Sequence, residues 1–231
     1  MNPVILVAVK EPARAKSRLA PVLTGRERSL LARAMLEDLI RVLQPLPYPV
    51  VTITVSPAVA SRVASAGWRV LWEEHQVSES AAIDEASRLL VQEGVPAVLR
   101  LPADLPRLEP GDIAVLLEQT TLSPSAVLAP SHDRLGTNAL LRIPPDLFPS
   151  RFGPDSFALH LAEAERAQAH IAIVNNPRLA LDIDDATDIA RFLEQPAEGE
   201  TYRLLLDLNM DERLKRHAGQ IDPHPRARGN S

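Results

Sequence analysis

The chain has 231 residues, no cysteine and a formal net charge of -5, and 45% of its residues are hydrophobic while only 3% are aromatic. This length suits one α/β domain with an aliphatic core, and the lack of cysteine excludes disulfides and thiolate metal sites. The acidic balance, without aromatics interleaved among basic residues, argues against nucleic-acid binding.

No apolar run approaches the roughly 20 residues of a membrane span. The opening MNPVILVAVK lacks a signal peptide's layout, so a cytoplasmic protein is expected. The continuous apolar run Val4 to Val9 predicts a central buried strand. A basic loop, KEPARAKSRLAPVLTG, follows, in which Lys10, Arg14, Lys16 and Arg18 face only Glu11. Loops in this position hold phosphates in α/β folds. This one lacks the glycines of a GxGxxG or Walker pattern, so side chains must do more, and Lys10, Lys16 and Arg18 are the candidates. The competing reading is a solvated basic loop.

A helix is expected over Gly25 to Gln44, with Thr24 and Glu27 at capping-box spacing and Pro45-Leu46-Pro47 as its stop. Strands are expected at Val50–Val55 and Trp68–Trp72, with a short helix over Pro57–Ala66 between them and a longer one over Glu79–Gln92 after them. Ala97 to Leu101, bounded by Gly94, Pro96 and Pro102, reads as a buried parallel strand. Asp104 follows between Pro102 and Pro106, so its carboxylate is held by a stiff turn. In open α/β sheets ligands bind outside the carboxyl ends of the strands. That makes Asp104 a candidate metal ligand, with a turn-capping Asp as the alternative.

Further helices are expected over Gly111–Gln119, Ser156–Gln168 and Ala186–Glu194, and strands over Ala126–Ala129, Asn138–Ile143 and Ile171–Val174. The alternation implies βαβ units and a mainly parallel sheet. From about Gln195 the character changes. Residues 1–195 therefore read as the domain, and 196–231 as one short helix over Tyr202–Leu214 followed by the polar, disordered-looking HAGQIDPHPRARGNS.

Asp182 and Asp184 lie two apart in LDIDD, so in an extended segment their carboxylates share one side while Ile183 turns to the core. Two such carboxylates and a third from elsewhere would suit Mg²⁺. Asp185 with Asp188 can separately cap the next helix. Thr137 in Gly136-Thr137-Asn138 and Ser156 near a helix start bring hydroxyl donors, and Gly153 permits close approach to the backbone. An ordinary turn and an N-cap Ser would look the same. His160 reads as a packed helix residue, and His75, His132 and His170 have no metal-ligand spacing. With no Gly-x-Ser-x-Gly, acyl transfer has no support. Oxygen ligands, a basic loop and hydroxyl-bearing anion sites suit phosphoryl or nucleotidyl transfer.

The segments VAVKEPARAKSRLAP, LTGRERSLLARAMLEDLI, LPADLP, GTNALL, FGPDSFALH and LDIDDATDIARFL, spanning residues 4–193 in order, resemble the 2-phospho-lactate guanylyltransferase family of coenzyme F(420) biosynthesis. The resemblance implies a three-layer, Rossmann-like nucleotidyltransferase domain with a mainly parallel mixed sheet. It implies that GTP and a small phosphorylated three-carbon acid, phosphoenolpyruvate or 2-phospho-L-lactate, yield a guanylylated product and pyrophosphate. By the same resemblance Asp104, Asp182 and Asp184 would hold Mg²⁺. Thr137, Gly153 and Ser156 would bind the acid, Lys10, Lys16 and Arg18 would line the GTP phosphates, and Lys16 and Asp104 would be catalytic. No nucleic acid or membrane partner is expected, and a homodimer is the default for such a domain. One departure is Ser78-Glu79-Ser80, near the expected base pocket, where the family has Gly-Leu-Asn. A related enzyme transferring CMP or AMP, or a domain that binds a nucleotide without turnover, are the competing readings.

Overall fold

The computed structural model describes residues 2–12, 15–73, 78–119 and 122–221, so the expectations for Arg14, His75 and the end of the tail lie outside the described residues. All seven expected strands are present: β1 (Val4–Ala8), β2 (Val50–Thr54), β3 (Arg69–Trp72), β4 (Val98–Leu101), β5 (Ser125–Pro130), β6 (Thr137–Ile143) and β7 (His170–Ile173). They form one sheet in the order β3-β2-β1-β4-β6-β5-β7. Every pairing is parallel except those of β6, which runs against β4 and β5. That reversal brings Thr137, the first residue of β6, to the end of the sheet where β1 and β4 finish.

The helices are α1 (Gly25–Leu43), α2 (Pro57–Ser65), α3 (Glu79–Gln92), α4 (Pro110–Glu118), α5 (Ser156–Arg166), α6 (Pro177–Ala180), α7 (Ala186–Leu193), α8 (Glu200–Asp207) and α9 (Met210–Ile221). The expected capping box opens α1, Thr24 Oγ1 accepting from the Glu27 N–H while the Glu27 carboxylate accepts from Thr24 N–H. On one face of the sheet Ile5, Val7, Leu99 and Leu101 pack with Leu39 and Ile40 of α1 and Ile113 and Leu116 of α4. On the other, Leu6 and Val98 meet Ile83, Ala86 and Leu90 of α3, while Ala126, Leu128 and Leu140 meet Phe157 and Ala164 of α5. Both faces are covered, which is why the central strands read as unbroken apolar runs. The result is the expected three-layer α/β domain.

A further apolar cluster sits outside the sandwich. Leu19, Leu23, Leu31 and Met35 close around Ile183, Ile189, Phe192, Leu205 and Met210. It ties the end of the basic loop and α1 to α7, α8 and α9. The single short helix expected over Tyr202–Leu214 is in fact two, α8 and α9, separated at Asn209, which adopts a left-handed φ of 51°. Asn tolerates that conformation better than most residues. The polar residues beginning the expected tail continue α9 as far as Ile221. No helix among the described residues is long and apolar enough to cross a membrane.

Candidate active site

The carboxyl ends of β1 and β4 and the start of β6 open onto a cleft of about 740 Å³. Eight of the residues singled out from sequence line it: Lys10, Arg18, Asp104, Thr137, Gly153, Ser156, Asp182 and Asp184. The ninth, Lys16, lies beneath them with its side chain 8% exposed. The structure therefore gathers the whole set, drawn from loops up to 174 positions apart, into one place.

The carboxylates meet because two backbones meet. Ile183 N–H donates to the Asp104 carbonyl at 3.3 Å and the Ile183 side chain is fully buried. That anchors the LDIDD segment against the stiff turn after β4 and turns Asp182 and Asp184 to the cleft side. Oxygens of Asp104, Asp182 and Asp184 lie within 4.8 Å of one another. Asp185 and Asp188 cap α7 reciprocally. The capping reading and the paired-carboxylate reading thus hold together, on different residues.

Lys16 takes a left-handed φ of 57° at the start of a short 3-10 turn, Ser17–Leu19. Such a conformation is uncommon for a long side chain and is found where the surroundings impose it. From there Nζ donates to Asp104 at 2.5 Å and to Asp184 at 2.9 Å. Burial alone would lower the Lys16 ammonium, but the two carboxylates overcome it and hold the group above its ordinary value. Burial likewise opposes ionisation of Asp184, yet Lys16, and then Arg18 and Lys10, pull its carboxyl below the usual range. Asp182 goes the other way: burial first, then the charge of Asp104, push it up to about 6, against a hydrogen bond from Asn138. The cluster thus divides into a firmly ionised carboxylate beside a lysine and one that holds its proton more readily.

The cleft lining also carries the hydroxyls. Thr137 Oγ1 lies 2.9 Å from His160 Nδ1, and Ser156 Oγ stands 3.4 Å from Thr137 Oγ1. Ser156 is the first residue of α5, and Gly153 just before it has φ +132°, a conformation that favours glycine. At Gly136 a Cβ would stand 2.9 Å from Ser131 Oγ, so a side chain in the turn into β6 would require Ser131 to shift.

The Ser78-Glu79-Ser80 departure has a structural account. Ser78 Oγ accepts from Ala81 N–H and caps α3, and Ser80 Oγ accepts from Phe152 N–H at 2.8 Å. Glu79 pairs with Arg100 at the cleft wall.

Sequence reasoning assigned no role to two residues here, Arg100 and Asn138, and read a third, His160, as packing alone. Arg100 is buried in β4, donating to the Thr137 carbonyl at 3.1 Å with its guanidinium 4.0 Å above the Phe152 ring. Asn138 donates to Asp182 at 3.0 Å and to the Leu179 carbonyl at 2.9 Å. His160 is packed, as expected, but it also touches Thr137. The available signal was a polar residue inside an apolar strand, AVLRL or TNALLRI, which must be partnered if the strand is buried.

The profile of the family described as "Guanylyl transferase CofC like" matches residues 3–221. A phosphoenolpyruvate guanylyltransferase of Rubrobacter xylanophilus is 38% identical over 204 residues, 88% of this chain and 98% of the relative. A 3-phospho-D-glycerate guanylyltransferase of Colwellia psychrerythraea is 30% identical over 87% of this chain and 96% of the relative. Among solved structures, one described as a nucleotide-diphospho-sugar transferase from Desulfovibrio desulfuricans G20 superposes with a TM-score of 0.76 at 18% identity, covering 94% of this chain and 99% of the other. That last likeness speaks for the fold. With the family profile running from the first strand to the last helix, this chain belongs to the CofC-like guanylyl transferases.

Proposed function

We propose that this protein is a guanylyltransferase that joins the guanylyl group of GTP to the phosphate of phosphoenolpyruvate or a closely similar phosphorylated three-carbon acid. A phosphate oxygen of the acid attacks the α-phosphorus of GTP, the bond from that phosphorus to the β-phosphate oxygen breaks, and pyrophosphate leaves. The observation that carries this reading is the convergence of Asp104, Asp182 and Asp184 in a cleft that Thr137 and Ser156 also line. Phosphoenolpyruvate is the preferred acceptor because it appears in the names of several relatives similar over most of the chain.

The chemistry needs no general base. A phosphate monoester has a second pKa near 6, so the attacking oxygen is already anionic at neutral pH. What remains is alignment and charge neutralisation. Lys10 and Arg18 on the cleft lining, with Lys16 against Asp104 and Asp184, bring positive charge for the GTP phosphates. Thr137, Ser156 and the backbone at Gly153 orient the acid.

The donor set also fits a hard divalent cation. Three carboxylates offer oxygens to one small volume, and Asp104 Oδ1 is buried with no hydrogen-bond partner among the described residues. Asp104, Asp182 and Asp184 would hold Mg²⁺, which when bound supplies charge neutralisation on phosphoryl oxygens.

The test is to incubate the pure protein with Mg²⁺, each of the four nucleoside triphosphates, and phosphoenolpyruvate, 2-phospho-L-lactate or 3-phospho-D-glycerate in turn, identifying products by mass. A guanylylated acid with stoichiometric pyrophosphate is expected. Transfer from CTP or ATP in preference to GTP, or no transfer to any of the acids, would overturn the reading.

A further inference from the structure

We infer that His160 is a positioning residue for the acceptor: its ring donates a hydrogen bond to Thr137 and so leaves the one Thr137 hydroxyl proton free for an anionic group of the bound acid. The inference rests on the reading above that the Thr137 wall receives the acid.

His160 lies on α5 with no exposed surface. Its ring packs edge-on against Phe152 with centroids 4.7 Å apart, and lies 6.4 Å from Phe148. In so apolar a niche both nitrogens need partners, and both have one. Nε2 accepts from the Arg151 backbone N–H at 2.8 Å. A nitrogen that accepts carries no proton, so the neutral ring must bear its single proton on Nδ1. Nδ1–H therefore donates to Thr137 Oγ1 at 2.9 Å.

The consequence falls on the hydroxyl. Oγ1 has two lone pairs and one hydrogen. His160 engages one lone pair and takes nothing from the hydroxyl hydrogen, while Ser156 Oγ, 3.4 Å away, is too long a contact to commit either hydroxyl. The Thr137 hydrogen is left for donation, and Thr137 stands on the cleft wall. A threonine able to rotate freely could accept or donate; this one is set to meet an anion.

The surroundings keep the ring neutral. Burial is the largest influence, followed by Arg100 on β4 and Arg142 on β6, against Asp84 on α3 and Glu163 on α5, and together they bring His160 down to about 3. Arg100 also fixes the Thr137 backbone from the other side through its carbonyl. A residue needed only to fill space between Phe148 and Phe152 would be served by another apolar side chain; the paired hydrogen bonds are what an apolar residue could not supply.

The first measurement is independent of turnover. In the full chain labelled with ¹⁵N-histidine, long-range ¹H–¹⁵N spectra at pH 7 should show a protonated Nδ1 and a bare Nε2 for His160, with the resonance assigned from a His160 variant. A protonated Nε2, or a doubly protonated ring, overturns the inference even if guanylyl transfer is fully active. If the protein transfers to none of the acids but the Nδ1–H tautomer is found, the functional reading fails and the hydrogen-bond assignment stands.

The second measurement is kinetic. His160→Phe keeps the bulk and loses the donor, and should raise KM for the acid about tenfold with KM for GTP changed less than about twofold. His160→Asn, which keeps an amide N–H near the Nδ1 position, should recover most of that loss. Adding His160→Phe to Thr137→Val should cost nothing beyond Thr137→Val alone. Additive losses, or equal rises in both KM values, would refute action through Thr137. If the variants do not fold, the His160 resonance is assigned in the wild type from its contacts with the Phe152 ring, and that spectrum still decides the tautomer.

Discussion

Lys16 Nζ stands 2.9 Å from an oxygen of Asp184, a residue 168 positions further along the chain, and bonds Asp104 as well. One ammonium thus counters part of the negative charge that three converging carboxylates bring together. Three half-buried acids crowded together without a cation would repel one another, so Lys16 serves the fold as well as the GTP phosphates it is proposed to meet.

Replacing Lys16 by Met should separate those two roles. The metal-free Lys16→Met protein is expected to melt several degrees below the parent, because a partly buried ion pair loses one member and leaves the other uncompensated. Added Mg²⁺ should recover more of the melting temperature in the variant than in the parent, since the cation replaces the lost charge. Transfer activity should stay at least about a hundredfold down even with Mg²⁺. Calorimetry with and without chelator, alongside product formation, checks all three.

Asp104→Asn and Asp184→Asn test the carboxylates themselves. Each is nearly isosteric and leaves the Ile183 N–H to Asp104 carbonyl bond in place, so the fold should survive. Removing a charged oxygen ligand should lower kcat about a hundredfold or more. Near-normal turnover in either variant, with circular dichroism unchanged, would remove these residues from the chemistry.

The pH dependence is set by Asp182, which burial and Asp104 raise to about 6 from an ordinary 3.8. The folded metal-free protein binds a proton there that the unfolded chain does not. That contribution to stability is complete at low pH and is lost as pH rises through about 6. A cation must displace the same proton, so Mg²⁺ affinity should level off above pH 6 and fall about tenfold per unit well below it. Calorimetric titration at several pH values between 5 and 7.5 measures this. Asp182→Asn should flatten the dependence while weakening binding throughout.

The sequence made much of this legible because the signals were local. Proline on both sides of Asp104, the two-residue spacing of Asp182 and Asp184, and the box at Thr24 and Glu27 each follow from backbone geometry within a few residues. The grouping of the nine site residues followed from the order of family-like segments as well as from the rule about strand ends. What stayed hidden was pairing across the fold. Nothing near Arg100 in the chain announces Glu79 and Thr137 as partners, and Asn138 meets Asp182 across 44 positions. The break between α8 and α9 was missed for a different reason. Leu204, Leu205, Leu208 and Leu214 keep a helix-like apolar spacing through the gap, and the turn at Asn209 is a choice among conformations that Asn allows but does not require.

Gly153 offers a last test, in which backbone conformation and space can be told apart. A Cβ there would meet nothing within 4 Å among the described residues, so Gly153→Ala brings no clash with them. Its φ of +132° nevertheless lies where L side chains rarely sit, so alanine must strain the backbone or move it. The expected cost is about 1–3 kcal/mol of stability, read from urea denaturation. Relief by a shift of the segment would carry Ser156 with it, because Ser156 N–H donates to the Gly153 carbonyl at 3.3 Å. Affinity for the acid should then fall more than affinity for GTP. Full stability together with unchanged acid binding would mean that the glycine serves neither the turn nor the cleft.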